Sequence, residues 1–197
     1  MPHASTPFIT APPRVRRLVF VAIGVCIAAV VASLTAVLVQ SAFASAVTPF
    51  SPTSADGRIA DGTVATLHDD DTPAIARLSP DLRDAMRRAE ADAAADGVPF
   101  DVTSGWRSER YQRWLFDDAV RLYASEEIAR QFVATPENSR HVTGDAVDVG
   151  PLDAQFWLIE HGARYGICQT YANERWHFEL ATTPGGMCPE MKTDAAS

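Results

Sequence analysis

The sequence predicts an α+β fold with a small central antiparallel sheet flanked by helices and preceded by one transmembrane helix. Helical periods over residues 80–96 and 108–124 alternate irregularly with short β-prone segments. The links between the predicted strands are not uniform βαβ units. The chain has 197 residues, of which 47% are hydrophobic and 21% are charged, so it suits one globular domain with an appendage.

The appendage is the uncharged apolar run at residues 18–40, which is long enough to span a bilayer. Arg14, Arg16 and Arg17 precede it, and positive charge favours the cytoplasmic side. We therefore expect a cytoplasmic tail at 1–17, a signal anchor at 18–40 and a single-pass location in the cell membrane with an extracytoplasmic domain. A signal peptide cleaved among the small residues between Ala42 and Ala46 is the alternative.

The amino-acid composition after residue 40 indicates a linker followed by a folded domain. Residues 41–72 are rich in Ser, Thr, Pro, Ala, Asp and Gly and lack a sustained period, which is typical of a linker. We expect the folded domain at 73–190 and a short tail at 191–197.

The first helix begins after Ser79, a favourable N-cap residue, with Pro80 in the first turn, and it ends at Gly97. Its helical spacing predicts a buried stripe of Leu82, Ala85, Met86, Ala89 and Ala93. Residues 99–103 are β-prone.

The second helix covers 108–124, a shorter one covers 128–133 after Ser125, and a third covers 154–164. For the second helix the predicted core residues are Tyr111, Leu115, Val120 and Leu122. Residues 135–144 read as a loop, whereas 146–149 and 175–180 alternate as strands do.

The net charge of −8 excludes one class of partner. Every Asp and Glu lies after Phe50, so the folded part of the chain is acidic. An acidic surface repels phosphate backbones, and we therefore expect no nucleic-acid partner.

Two segments carry candidate metal ligands. His141 and Asp148 lie on either side of Gly144, which permits a tight bend, and the alternation beyond it places Ala146 and Asp148 on one strand face. A loop histidine and a strand aspartate would then converge on one ion, and zinc accepts both donor types. The alternative is an exposed histidine beside a turn aspartate.

The second segment places Glu174 three residues before His177. In a regular strand these side chains would face opposite ways, so Glu174 must lie in the turn before the strand to approach the metal. Two histidines and an aspartate then leave a fourth position for water, with Glu174 as the base. The alternative is an exposed glutamate and a core histidine packed on Trp176.

The order of these residues resembles the zinc D-alanyl-D-alanine carboxypeptidase/dipeptidase family, which includes the vancomycin-resistance carboxypeptidases. The matching elements are Ser139-x-His141-x-x-Gly144-x-Ala146-x-Asp148, Glu174-x-Trp176-His177, and Ser104-Gly105-Trp106-Arg107-Ser108 with Gln112. Together they span roughly residues 78–180.

The resemblance implies a single-zinc peptidase fold in which His141, Asp148 and His177 bind one Zn²⁺ and Glu174 is the catalytic base. It further implies that Arg107 stabilises the substrate carbonyl or the transition state, although an ordinary surface salt bridge is the alternative for that residue. The remaining expected members, which contact the substrate or support a ligand, are Ser139, Gln112 and Glu179. Copper or nickel could occupy the same donors in vitro.

We therefore predict a zinc D,D-carboxypeptidase that removes the terminal D-Ala from peptidoglycan stem peptides, acting as a monomer held to the membrane by its N-terminal helix. The alternatives are a D,D-dipeptidase, an L-Ala-D-Glu-type endopeptidase and a non-catalytic wall-binding module. Cys168 and Cys188 are a candidate disulfide, because thiols outside the cell are oxidised when they lie close together.

Overall fold

The computed structural model describes residues 26–34 and 50–197, which belong to two compact units divided after Pro49. In the first unit, residues 26–34 are helical. Within the described residues, no helix combines the length and the apolar character that a membrane crossing needs. This finding contradicts the predicted location in the cell membrane. The other residues of the predicted anchor, and the predicted tail at 1–17, lie outside the described residues.

The second unit contains a four-stranded sheet with helices and two 3₁₀ turns. Its helices are α1 (Pro73–Ala76), α2 (Pro80–Ala95), α3 (Glu109–Tyr123), α4 (Glu126–Phe132), α5 (Arg140–Thr143) and α6 (Leu152–His161). Its strands are β1 (Asp101–Ser104), β2 (Ala146–Gly150), β3 (Ile167–Gln169) and β4 (His177–Leu180). The 3₁₀ turns cover Ser54–Asp56 and Gly162–Tyr165.

The sheet has the order β1-β2-β4-β3, and each neighbouring pair is antiparallel, which confirms the α+β prediction. Asp148 on β2 is paired with His177 on β4, and Ser104 on β1 is paired with Asp148 across an irregularity after Val102. The middle strands therefore carry two of the predicted ligands side by side.

The main core covers one face of this sheet. Val147, Val149 and Phe178 are at most 1% exposed and pack with residues from α2 and α6. All five predicted stripe residues of α2 are buried, as expected: Leu82, Ala85, Met86, Ala89 and Ala93.

Helix α3 buries the predicted face only in part, since Tyr111, Leu115 and Val120 are half-buried and Val120 packs against the second cluster. Gln112, Phe116 and Ala119 are its buried residues, whereas Leu122 is 74% exposed. Phe116 and Ala119 pack with Ala129 of α4 in a small second cluster. The position of α4 therefore decided which face was buried, and the periodicity of α3 alone did not contain that information.

The compact unit begins at Phe50, earlier than the boundary at residue 73 that composition indicated. Leu67 is fully buried in the main core, and Ala65 bridges to Val102 of β1. Asp56 accepts hydrogen bonds from the backbone and side chain of Ser108. A few apolar anchors attach this segment to the fold without producing a helical or strand period.

Three short elements were not predicted: α1, α5 and β3. Helix α5 lies in the segment expected to be a loop and ends at Gly144, whose φ of 78° fits the predicted bend. A Cβ there would lie 2.3 Å from the carbonyl oxygen of Arg77, so glycine is required by space as well as by conformation.

Candidate metal centre

Three potential ligand atoms converge where α5, β2 and β4 meet. The Nε2 atom of His141 lies 3.2 Å from Nδ1 of His177, and these atoms lie 3.2 Å and 3.3 Å from Oδ1 of Asp148. All three residues are buried, with at most 6% of their surface exposed. Among the described residues they are the group of histidine, cysteine and acidic side chains that fits a metal ion.

The size of this triangle matches tetrahedral coordination. Zinc binds histidine nitrogen and carboxylate oxygen at about 2.0–2.2 Å, so two ligands of a tetrahedral ion lie about 3.3–3.5 Å apart. The observed distance of 3.3 Å lies at the lower end of this range, and the two of 3.2 Å lie just below it. Oδ1 of Asp148 is moreover buried without a hydrogen-bond partner among the described residues. The donors therefore fit one zinc ion, as predicted.

Each ligand is held by a second bond on its outer side. Nδ1 of His141 lies 2.7 Å from the carbonyl oxygen of Gly105. Since a carbonyl only accepts, this nitrogen carries the proton and Nε2 is free to bind metal. His177 has the opposite arrangement, because its Nε2 donates to Glu179 over 2.9 Å and leaves Nδ1 free. Such partners fix the tautomer and the orientation of a ligand.

The third ligand is held by Arg107, which donates to Oδ2 of Asp148 over 2.8 Å. Its other nitrogens donate to Ser104 over 2.8 Å and to Gln112 over 3.1 Å. Gln112 is 1% exposed and donates to the carbonyl of Ala134. Arg107 is thus brought to the ligands by an internal network, and the surface salt bridge considered above does not describe it.

The charged groups around Asp148 shift one another's pKa values. Burial favours the neutral form of Asp148, but the His141 imidazole, the His177 imidazole and the Arg107 guanidinium outweigh it and hold the pKa well below its usual range. Burial likewise lowers the pKa of His141, with Arg107 acting in the same direction. For His177 burial is outweighed by the Asp148 and Glu179 carboxylates, which raise its pKa to about 9. Asp148 therefore stays ionised at neutral pH, which a carboxylate must be to bind a metal ion.

Glu174 occupies the turn before β4, where the geometric argument from the sequence requires it. The backbone N–H of His177 donates to the carbonyl of Glu174, and Oε2 of Glu174 lies 3.7 Å from Nδ1 of His177. Its side chain is 12% exposed, and burial raises its pKa to about 7. A carboxylate with this pKa can both accept and return a proton near neutrality.

These groups border an open cleft of about 190 Å³. Ser139 lines the cleft and is 5% exposed, next to the first residue of α5. Other lining residues were not among the predicted site residues, including Arg140, Tyr171 and Ala195, and Trp176 was predicted only as part of the motif. Arg140 and Trp176 are direct neighbours of predicted ligands, a proximity that gave a usable signal, whereas Ala195 gave none.

Cys168 and Cys188 form a disulfide that attaches the C-terminal segment to β3. Beyond it, Lys192 exchanges backbone hydrogen bonds with Thr170 and Ala172. Together these links bring Ala195 to the edge of the cleft.

Comparison with known proteins matches this region to one family. The model of the VanY family, described as D-alanyl-D-alanine carboxypeptidase, matches residues 75–182. A D-alanyl-D-alanine carboxypeptidase from Enterococcus faecalis is 30% identical over 127 residues, covering 52% of this chain and 46% of that protein. The putative carboxypeptidase YodJ of Bacillus subtilis is 26% identical over 111 residues, covering 50% of this chain and 40% of that protein. The chain thus spans about half the length of these relatives.

Among solved structures, VanYB in complex with D-alanine-D-alanine has a TM-score of 0.49 and 25% identity, covering 52% of this chain and 70% of that chain. The family match at residues 75–182 includes the candidate ligands His141, Asp148 and His177 and the turn that carries Glu174.

Proposed function

Because this chain belongs to the VanY D-alanyl-D-alanine carboxypeptidase family, we propose that it is a zinc-dependent D,D-carboxypeptidase. Its substrate would be the peptidoglycan stem peptide, from which it would release the terminal D-Ala. Every ligand and the base come from one chain, so a monomer would suffice.

The observation that supports this proposal best is the open triangle of ligands with a carboxylate beside it. His141, Asp148 and His177 supply three donors, and the fourth side opens into the cleft that Glu174 borders. A structural zinc site would usually close its fourth position with a protein ligand. The arrangement thus favours hydrolysis over a purely wall-binding role.

A zinc ion held by these residues would lower the pKa of a water molecule and polarise the scissile carbonyl. Glu174 would accept the proton of the attacking water and pass it to the leaving amine, which its raised pKa permits. The guanidinium of Arg107, fixed by three hydrogen bonds, would stabilise negative charge that develops on the substrate.

The other predicted residues would support these steps. Glu179 would orient His177 through their 2.9 Å hydrogen bond, and Gln112 would hold Arg107 in place. The Ser139 side chain would contact the substrate at the cleft wall.

The decisive test is alanine release from a synthetic stem pentapeptide by the zinc-loaded chain. We expect one alanine per peptide, loss of release with a chelator, and a kcat about 10²- to 10⁴-fold lower in Glu174→Gln, because a general base contributes on that scale. Zinc content should stay at one equivalent in the variant. Glu160→Gln, on the exposed side of α6, is the matched control and should keep full activity.

Product mass separates the alternatives. Release of a D-Ala-D-Ala dipeptide would favour a dipeptidase, and cleavage nearer the L-Ala end would favour an endopeptidase. A chain that binds one zinc and purified wall but turns nothing over would refute the enzymatic proposal.

A further inference from the structure

Two arginines line the cleft among the described residues, and they differ in how their donors are used. The Arg107 side chain is 15% exposed, and each of its three nitrogens donates a hydrogen bond to another side chain of the protein. The side chain of Arg140 is 48% exposed, and its guanidinium makes no hydrogen bond within residues 26–34 and 50–197. Arg140 thus keeps its five N–H donors available.

Two carboxylates lie near the Arg140 guanidinium, but at long range. Its Nε is 3.4 Å from Oε2 of Glu179, and its Nη2 is 3.6 Å from Oδ2 of Asp145. The Asp145 side chain is 33% exposed, so water competes for that pair and it contributes little free energy. The Glu179 side chain is only 10% exposed, but it keeps the hydrogen bond from His177 when Arg140 moves. The guanidinium can therefore turn towards an incoming anion with little loss of stability.

The position of Arg140 suits a group that lies one residue from the bond being cut. Arg140 is the first residue of α5 and is followed directly by the ligand His141. The Glu179 carboxylate lies between Arg140 and the candidate ligand His177 and contacts both side chains. In a carboxypeptidase substrate a single residue, about 3.8 Å long between Cα atoms, separates the scissile bond from the free carboxylate.

A carboxylate entering this cleft needs a cation that is not already engaged. Asp148 and Glu174 both line the cleft and repel a second anion. Arg107 is directly paired with Asp148 at 2.8 Å, so part of its charge is already balanced. Arg140 is the other arginine of the lining, and a guanidinium binds a carboxylate with two parallel hydrogen bonds.

We propose that Arg140 binds the free C-terminal carboxylate of the peptide and makes the site selective for chain ends. This inference rests on the proposed function for its substrate. Arg107, held by Ser104, Gln112 and Asp148, would keep the role of stabilising the substrate carbonyl or the transition state. The terminal amide of a peptide, or a peptide bond in mid-chain, would lack the charge that Arg140 recognises.

The test compares a stem pentapeptide with its C-terminal amide in the wild-type chain and in Arg140→Gln. We expect the wild type to prefer the free acid by about 10- to 100-fold in kcat/KM, because a charge-assisted hydrogen bond contributes on that scale. Arg140→Gln should lose most of this preference through a raised KM for the acid while keeping its rate on the amide. Arg140→Lys should retain part of it.

A matched control is Arg113→Gln, whose partner is the exposed Glu137, and it should keep the full preference. If Arg140 only supports Glu179, the Gln variant would lose zinc affinity and slow both peptides equally. That outcome, or an unchanged preference, would overturn the inference.

Binding separates this inference from the proposed function. Calorimetry on the zinc-loaded chain would compare acetyl-D-Ala-D-Ala with its amide in wild type and Arg140→Gln. A preference for the acid that disappears in the variant supports Arg140 as the anchor even if no peptide is hydrolysed. Equal affinities for acid and amide in the wild type would overturn the inference whether or not the chain is an enzyme.

Discussion

Strands β2 and β4 carry two unlike faces through the same nine residues of backbone. On one face Val147, Val149 and Phe178 pack in the main core, at most 1% exposed. The opposite face presents Asp148, His177 and Glu179, which are almost as buried but polar or charged. Burying apolar groups stabilises the folded state, whereas removing charged groups from water destabilises it. The core face therefore stabilises the fold, and the other face is arranged for chemistry.

The largest effect should come from breaking the core face at Phe178. This side chain is fully buried, so Phe178→Ala should lower the free energy of unfolding by about 3–5 kcal/mol. Urea unfolding in the presence of a chelator measures this value without a contribution from bound metal. The folded fraction should keep its kcat, because Phe178 points away from the ligands.

Phe156→Ala is the matched control, since Phe156 is 52% exposed on α6. Its unfolding free energy should change by about 0.5 kcal/mol or less. A similar loss of unfolding free energy in both variants would mean that the core face of the sheet does not supply the stability described above. For Phe178→Leu we expect a smaller loss, which keeps the test possible if the Ala variant does not fold.

The next effect concerns the edge of the sheet, where Cys168 of β3 is bonded to Cys188. A disulfide closing a loop of 20 residues should stabilise the fold by about 3 kcal/mol, because it restricts the unfolded chain. Cys188→Ser should lose that amount in urea unfolding. Cys26→Ser, at the exposed free cysteine, should change nothing. Equal stability of wild type and Cys188→Ser would show that the bridge does not restrict the chain.

The same two faces explain which parts of the molecule were predictable from sequence. Alternation along β2 gave the correct side for Asp148, and the burial of Val147 and Val149 confirms it. The turn position of Glu174 followed from the requirement that it approach His177. Short elements such as β3 and α5 were missed, because three or four residues hold too little periodicity and their positions depend on distant partners.

The local sequence pattern also did not predict the hydrogen bonds that Arg107 and His141 make with residues distant in the chain. Arg107 is held by Ser104 and Gln112 but reaches a ligand that is 41 residues away in sequence. The outer bond of His141 goes to a backbone carbonyl, that of Gly105, which no side-chain pattern reveals. The candidate ligands were therefore predicted from spacing together with the family resemblance, whereas the bonds that orient them required the fold.

A smaller effect should appear when the chemical face loses an outer bond. Glu179→Gln removes the carboxylate that accepts from His177 and should weaken zinc affinity by about 10- to 100-fold. Competition with a chromophoric chelator measures this affinity. Glu160→Gln serves as the control with unchanged affinity. If Glu179→Gln instead lowered only the unfolding free energy, Glu179 would belong functionally with the core face.

The smallest effect should be at Leu122, which helical spacing assigned to the core and which is 74% exposed. Leu122→Ala should change the free energy of unfolding by about 0.5 kcal/mol or less, since it buries little surface. Phe116→Ala, six residues earlier on the same helix, should cost several times more, because Phe116 packs on α4 and is 8% exposed. Urea unfolding of the two variants compares them directly. A large loss at Leu122 would mean that α3 turns its other face inward, and Gln112 could then no longer hold Arg107 beside Asp148.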